Sequence, residues 1–363
     1  MNNHFAQLTN LEPDKAYYCV IKDSKGKSQR YGIKTAPNKP QPFTFIAGGD
    51  TKSSGTPLEA GRLSNKMVAK LRPLFVVFVG DYCSGDGTNA KRWKQWLHDW
   101  STLTTSAVGR MYPIVPVHGN HEDGEKDVLH NLFDVPTQNG NNENVYFNME
   151  FGNFFGFLSL NSQIDEGGNQ RTWLESKLQQ YKNYTFTSAG YHKPFFPHTS
   201  GKSENEYQYE QWAPLFYQYG LDLSFDGDSH MSKITFPLKP SNEPGSHQGF
   251  IRDDENGTMY IGEGSWGASP RKADDAKPWT LRDGQFNQIK WLHVYPEQNG
   301  TKAYVDIRTV KTASFDEEDN LIDHVDKVAN LSEEDIFAIP QNIDIFSTEP
   351  YGPVIRYPFK EIN

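Results

Sequence analysis

Cysteine is nearly absent: Cys19 and Cys83 are the two in 363 residues. That excludes a disulfide framework and a thiolate metal site, and leaves a single bridge open until a distance is known. Long apolar runs are missing as well, so no stretch reads as a membrane-spanning helix. Basic charge is in deficit, with 36 Lys and Arg against 46 Asp and Glu and a net charge of −10. Such a balance argues against a general nucleic-acid surface, which would need clustered cations. Internal repeats and low-complexity tracts are not found. A secretory leader is not visible either, since Met1 is followed by polar Asn2, Asn3 and His4. What is abundant is aromatic residues, at 13 %, together with Asn and Gly. This points to a β-rich protein with long loops, large enough for one main domain and a smaller appendage.

Taken in order, residues 5–35 read as three short strands broken by turns at Pro13-Asp14 and Lys25-Gly26. Asn38 to Pro42 reads as a linker. From Phe43 onward strands and helices alternate, the pattern of a layered α/β domain. Helices are expected at 58–71, 90–103, 171–181 and 207–219. A hairpin is expected around Gly152-Asn153, and β-hairpins follow residue 230. Trp93, Trp96, Leu97 and Trp100 form one helical stripe, for which core packing is the simplest use. From Thr312 the chain turns acidic and irregular.

Chemistry concentrates at five strand ends. FTFIAGGD closes on Asp50, FVVFVGD on Asp81, IVPVHGNHE on Asn120 and His121, TFTSAGYH on His192, and the run 221–225 leads to Gly227-Asp228-Ser229-His230. Each is a β-type run ending in an oxygen or imidazole ligand beside glycine. In open α/β sheets, sites form at that carboxyl edge, because strands fix the backbone while loops present side chains. Several such ligands together describe a metal centre, and two ions held about 3.5–4 Å apart suit phosphoester hydrolysis.

These blocks, D-x-[HKR], G-D, G-N-H-E, a lone His and G-x-x-H in order, resemble the motifs of calcineurin-like metallophosphoesterases, in the branch of the purple acid phosphatases. Residues 5–35, with L-x-P-x-x-x-Y and a closing T-x-P, resemble the second half of a fibronectin type III domain, as that branch carries. The resemblance implies a four-layer α/β/β/α sandwich over 43–311, preceded by a β segment (1–37) and a linker (38–42), and followed by an acidic extension (312–363). A half-sandwich exposes apolar faces and should pack on its neighbour. A trimmed amino terminus would also have lost any leader, so a periplasmic or secreted location is expected, with the cytoplasm as the alternative.

By position, Asp50 would bind one metal, Asp81 would bridge two, Asn120, His192 and Asp228 would hold the second, and His230 the first. His121 would act on the substrate as proton donor or charge stabiliser. The implied cofactors are two ions of Fe, Zn or Mn, and the implied reaction is in-line attack of a metal-bound hydroxide on a small-molecule phosphoester. Three departures matter. Asp228 replaces the family's first histidine of G-H-x-H, a harder ligand. Lys52 replaces the histidine of D-x-H. Ser84 stands where purple phosphatases carry their tyrosine, and the nearby Tyr82 falls on the opposite face of an extended strand. The first metal thus keeps Asp50, Asp81 and His230, and is expected to be weakly held or empty.

Lys52 points to the same side as Asp50 in extended chain. It would clamp substrate phosphate, replace metal charge, or simply turn to solvent. His198 and Arg271 are candidate phosphate contacts, although loop polarity and a Gly-rich turn also account for them. Catalysis is thereby assigned to His121, Lys52 and Asp228, and substrate binding to Lys52, His121, His198 and Arg271. The rival reading is a binding or scaffold protein on a weakened phosphatase fold, with oligomeric state open in both.

Overall fold

The computed structural model describes residues 3–106, 108–298, 300–328 and 352–362. Four short strands open the chain: β1 (Ala16–Cys19), β2 (Lys22–Asp23), β3 (Gly26–Lys27) and β4 (Tyr31–Lys34). They form two small antiparallel pairs, β1 with β4 and β2 with β3, where three strands were expected. The Asp23 carboxylate accepts from the amides of Lys25 and Gly26 at 2.7 and 3.0 Å, which closes the turn placed there by sequence. The segment docks on its neighbour through backbone: Gly32 N donates to Gly109 O and Met111 N to Gly32 O, both at 2.8 Å.

The main body begins with β5 (Phe43–Gly48), α1 (Gly55–Leu71), β6 (Phe75–Phe78), α2 (Ala90–Asp99) and β7 (Ile114–Pro116). β5, β6 and β7 lie parallel, and β5 and β6 are buried throughout, as an apolar run with helical crossovers requires. α1 ends at Arg72 in the left-handed region, just before Pro73. α2 starts where the Asn89 side chain accepts from Arg92 N at 3.2 Å. Its axis continues as a π-type turn over Trp100–Thr104, so the expected helix to 103 exists with a change of winding.

Next come α3 (Val128–Phe133), β8 (Phe147–Phe151), β9 (Phe155–Ser159), α4 (Gly168–Tyr181), β10 (Phe186–Gly190), α5 (Glu206–Tyr219) and β11 (Leu223–Phe225). β8 and β9 form the expected hairpin, and β9, β10 and β11 run parallel. The remainder is β12 (Ser232–Thr235), β13 (Leu238–Pro240), β14 (Phe250–Arg252), β15 (Met259–Gly262), β16 (Thr280–Gly284), β17 (Asn287–Tyr295), β18 (Tyr304–Phe315), β19 (Leu321–Asp323), β20 (Val354–Tyr357) and β21 (Lys360–Ile362).

Among the described residues, two large sheets result, ordered β16-β12-β15-β11-β10-β9-β8 and β21-β20-β18-β17-β5-β6-β7. Phenylalanines fill the space between them. Phe45 stacks on Phe75 at 5.0 Å, while Phe43 meets Phe155 edge-on at 5.1 Å and Phe45 meets Phe225 at 5.8 Å. α1 packs over β17 and β18. On the far side, Leu174 and Leu178 of α4 and Trp212 and Phe216 of α5 cover Leu158, Ala189 and Tyr260. Helix, sheet, sheet and helix make the four layers expected.

The carboxyl-terminal region differs from expectation. β18 runs straight through the boundary set at 311, and β19 and β20 both pair with it. The Arg356 guanidinium holds Asp306 with two bonds of 2.6 and 2.8 Å, fastening β20 in place. Residues 312–328 and 352–362 therefore contribute strands to the sheet, and 329–351 lie outside the described residues. No helix among the described residues is long and apolar enough to cross a membrane.

Candidate metal centre

The residues after β5, β6, β7, β10 and β11 meet at one place. Asp50, Asp81, Asp228 and His230 all leave their strands in the left-handed region, at φ of 68°, 56°, 65° and 54°. A non-glycine residue there costs about 1–2 kcal/mol, so the fold spends stability on turning these side chains inward. Gly80 permits the convergence: a Cβ on it would stand 2.7 Å from both the His192 Nδ1 and the Gly119 Cα.

Donor atoms of Asp50, Asp81 and His192 lie within 4.8 Å of one another, and all three residues are buried. His192 Nδ1 donates to Val79 O at 2.7 Å, which fixes the tautomer and turns Nε2 to the cluster. That Nε2 stands 3.3 Å from Asp81 Oδ1, 3.1 Å from Asn120 Oδ1 and 3.7 Å from Asp228 Oδ1. On the other side, His230 Nε2 is 3.4 Å from Asp50 Oδ1. The donors thus fall into two groups, Asp50 with His230 and Asn120 with His192 and Asp228, with Asp81 beside the second. Hard oxygen and imidazole donors of this kind could hold Fe, Zn or Mn.

Charge in the cluster is tightly balanced. Burial disfavours an ionised Asp81, yet the His192 and His121 imidazoles, a bond from His121 N and the Lys52 ammonium hold its carboxyl below the usual range. Burial likewise disfavours a charged His192, but Asp81, Asp50 and Asp228 push it up to about 9. The carboxylates therefore draw a positive charge to this point, which a divalent cation would satisfy while displacing the proton. His230 is held below its ordinary value, chiefly by burial.

His121 sits at the rim. Asp86 Oδ1 accepts from its Nδ1 at 2.7 Å, leaving Nε2 turned inward, 3.7 Å from Asp81 Oδ2 and 3.5 Å from Lys52 Nζ. Lys52 is half-buried, with its ammonium turned toward His121 at the edge of the cluster. Arg271 also borders it, its Nη1 donating to Asp228 O at 3.0 Å.

His198 is a correction. It is fully buried, with Nδ1 at 3.0 Å from Glu263 and Nε2 at 2.7 Å from Thr280 Oγ1. Both nitrogens are used inside the protein, so it offers nothing to a substrate. Glu263 in turn joins Lys233 and Asp226 in a buried ionic network that sequence reasoning missed. Tyr82 lies away from the cluster as expected, stacked on Phe78 at 4.5 Å, its phenol accepting from Val117 N at 3.2 Å. Trp93, Trp96 and Trp266 are core residues. Cys19 and Cys83 are unbridged.

Three partners of the site escaped the sequence reading. Asp86 orients His121. Glu122, inside the GNHE block, accepts from the amides of Gly119, Asp81 and Tyr82 at 2.8, 2.9 and 3.1 Å and so pins the turn that carries Asp81. Lys202 places Nζ 2.5 Å from Asp228 Oδ1. A surface cavity of about 580 Å³ between residues 3–5 and α2 and α3 is lined by none of the cluster residues.

Residues 37–232 match the family described as Calcineurin-like phosphoesterase. The chain belongs to that family. An uncharacterized protein of Mycobacterium tuberculosis is 25 % identical over 313 residues, covering 74 % of this chain and 58 % of its own length. Purple acid phosphatase 23 of Arabidopsis thaliana is 24 % identical over 269 residues, covering 62 % of this chain and 56 % of its own. The chain therefore spans a little over half the length of these relatives. Its fold resembles that of purple acid phosphatase PPD1 from yellow lupin seeds, with a TM-score of 0.66 at 16 % identity, covering 87 % of this chain and 60 % of that one. For a calcineurin-like phosphoesterase, the departures now have locations: Lys52 faces His121, Asp228 is paired with Lys202, and Tyr82, the tyrosine nearest Ser84 in sequence, is turned away.

Proposed function

We propose that this calcineurin-like phosphoesterase hydrolyses small-molecule phosphoesters at a two-metal centre. Asp50, Asp81 and His230 would hold one ion, and Asp81, Asn120, His192 and Asp228 the other. The observation that carries the reading is the buried meeting of Asp50, Asp81 and His192 donors within 4.8 Å, with the His192 tautomer set by Val79 O. Bound metal ions would supply Lewis acidity and lower the pKa of water. The chain's own residues do the rest. Lys52 and Arg271 flank the cluster and place positive charge where phosphoryl oxygens would lie. His121 Nε2, aimed by Asp86, is set to give a proton to the departing alkoxide. The backbone bonds of Glu122 keep Asp81 from relaxing out of its left-handed turn. A periplasmic or secreted location belongs to the same proposal, and cell fractionation tests it.

The deciding experiment joins metal analysis of protein purified without chelator to hydrolysis of an aryl phosphate and a bis-aryl phosphate. Asp81→Ala and Asn120→Ala should each lose metal and activity together. Bound metal with no hydrolysis of either ester overturns the proposal and leaves a binding scaffold. Full metal content in Asp81→Ala refutes the ligand assignment.

A further inference from the structure

Asp228 is gripped from three directions. Its amide donates to both Asp50 carboxylate oxygens at 3.0 and 3.1 Å, and its carbonyl takes the Arg271 Nη1 bond of 3.0 Å. Its Oδ1 meets Lys202 Nζ at 2.5 Å, and that same oxygen is the one 3.7 Å from His192 Nε2. The pair is sheltered, with the Lys202 and Asp228 side chains 24 % and 10 % exposed. The loop bearing Lys202 is anchored: Ser200 N and Oγ donate to the Asp274 carboxylate at 2.8 and 3.0 Å. It also packs on Arg271, whose Cδ would lie 3.6 Å from a Cβ at Gly201. Lys202 and Arg271 are thereby brought side by side at the rim of the cluster.

We propose that Lys202 couples phosphate binding to metal binding, its ammonium passing from Asp228 to a phosphoryl oxygen as the ester or phosphate arrives. This rests on the metal-centre reading above. A cation and the ammonium draw on one oxygen, and like charges repel, so the Lys202–Asp228 pair opposes metal at the His192 group. Asp228 is fixed by its backbone bonds and cannot follow, whereas lysine has a flexible four-carbon stem and a partly exposed head. An arriving phosphoryl dianion offers the ammonium a second partner and frees the carboxylate for the metal. Linkage makes the effect reciprocal: metal must tighten phosphate by the factor that phosphate tightens metal. The sequence gives no hint of this, since Lys202 sits in a polar loop 26 residues from Asp228.

The test is calorimetric titration of Mn²⁺ into chelator-stripped protein, with and without inorganic phosphate. It compares wild type, Lys202→Met and Lys202→Arg after equal melting temperatures have shown that the fold is intact. In the wild type, phosphate should tighten Mn²⁺ by about tenfold, an ordinary coupling factor. Lys202→Met should bind Mn²⁺ more tightly than wild type without phosphate and lose most of the phosphate effect, while Lys202→Arg keeps it. A Lys202→Met protein that binds Mn²⁺ as the wild type does, with the phosphate effect unchanged, overturns the coupling alone. Wild-type protein that binds no Mn²⁺ at all overturns it together with the reading on which it rests.

Discussion

Gly264 offers the sharpest check on how the site is built. It lies in the loop after β15 at φ +84°, and a Cβ there would overlap Asp50 Oδ2 and stand 2.6 Å from Asp50 Cγ. Neither side can yield cheaply. Gly264 O accepts from Gln288 Nε2 at 2.8 Å, and Asp50 O accepts from Gly267 N and Ala268 N at 3.0 and 2.9 Å. The relief left to Gly264→Ala is rotation of the Asp50 side chain, which breaks the bond from Asp228 N. The left-handed backbone costs alanine about 1–2 kcal/mol. Loss of a hydrogen bond to a carboxylate adds about 1.5–3 kcal/mol. The expected destabilisation is therefore about 2.5–5 kcal/mol. Gly220→Ala is the control: that residue caps α5 at φ +70° with nothing within 4 Å of a Cβ, so it should show the backbone cost alone. Urea unfolding followed by tryptophan fluorescence measures both. A Gly264→Ala value within about 0.5 kcal/mol of Gly220→Ala, the usual limit of additivity, would refute the claim that the loop and Asp50 are packed against each other.

His121→Ala should keep its metal by elemental analysis while kcat falls by about 10²–10⁴, the usual loss for a proton-transfer group; metal loss would place His121 among the ligands. Iron-loaded protein should lack the visible band of a tyrosinate, because the Tyr82 phenol is buried and bonded to Val117 N and Phe78 O. A strong band that vanishes in Tyr82→Phe would contradict this placement. His293, far along β17, is depressed to about 3 by burial and then by Arg308. Its folded value lies below its unfolded one, so the unfolded chain binds the extra proton and stability falls as pH drops from about 6.5. His293→Gln should flatten that acid slope by up to about 1.4 kcal/mol per pH unit, read from unfolding midpoints between pH 6.5 and the acid limit of folding; an unchanged slope would mean the imidazole charges freely in the fold.

How much of this was legible depends on whether a residue's task is set locally. Asp50, Asp81, Asn120, His192 and His230 could be grouped from sequence because each follows within a few residues of a buried strand, and an apolar run stopping at Asp or His beside Gly is visible in one dimension. The alternation that gave the two sheets is local in the same way. The acidic stretch beyond 312 reads as irregular because its strands are short; what makes them strands is their pairing, β19 and β20 on β18 and β21 on β20, which their own composition does not reveal. Lys202, Asp86 and Glu122 act through contacts with segments 26 to 41 residues away. Asp86 and Lys202 sit in ordinary polar loop, and Glu122, though inside the GNHE block, shows nothing in sequence of its reach to Asp81; only the tertiary fold makes them partners of the site. His198 failed for the mirror-image reason: it sits in a loop, which by sequence alone means exposure, but Glu263 and Thr280 reach it from 65 and 82 residues on and take both nitrogens. The candidate ligands of such a centre are thus readable from strand ends. The charged residues beside them, Lys52 at His121 and Lys202 at Asp228, are placed by contacts no local pattern records.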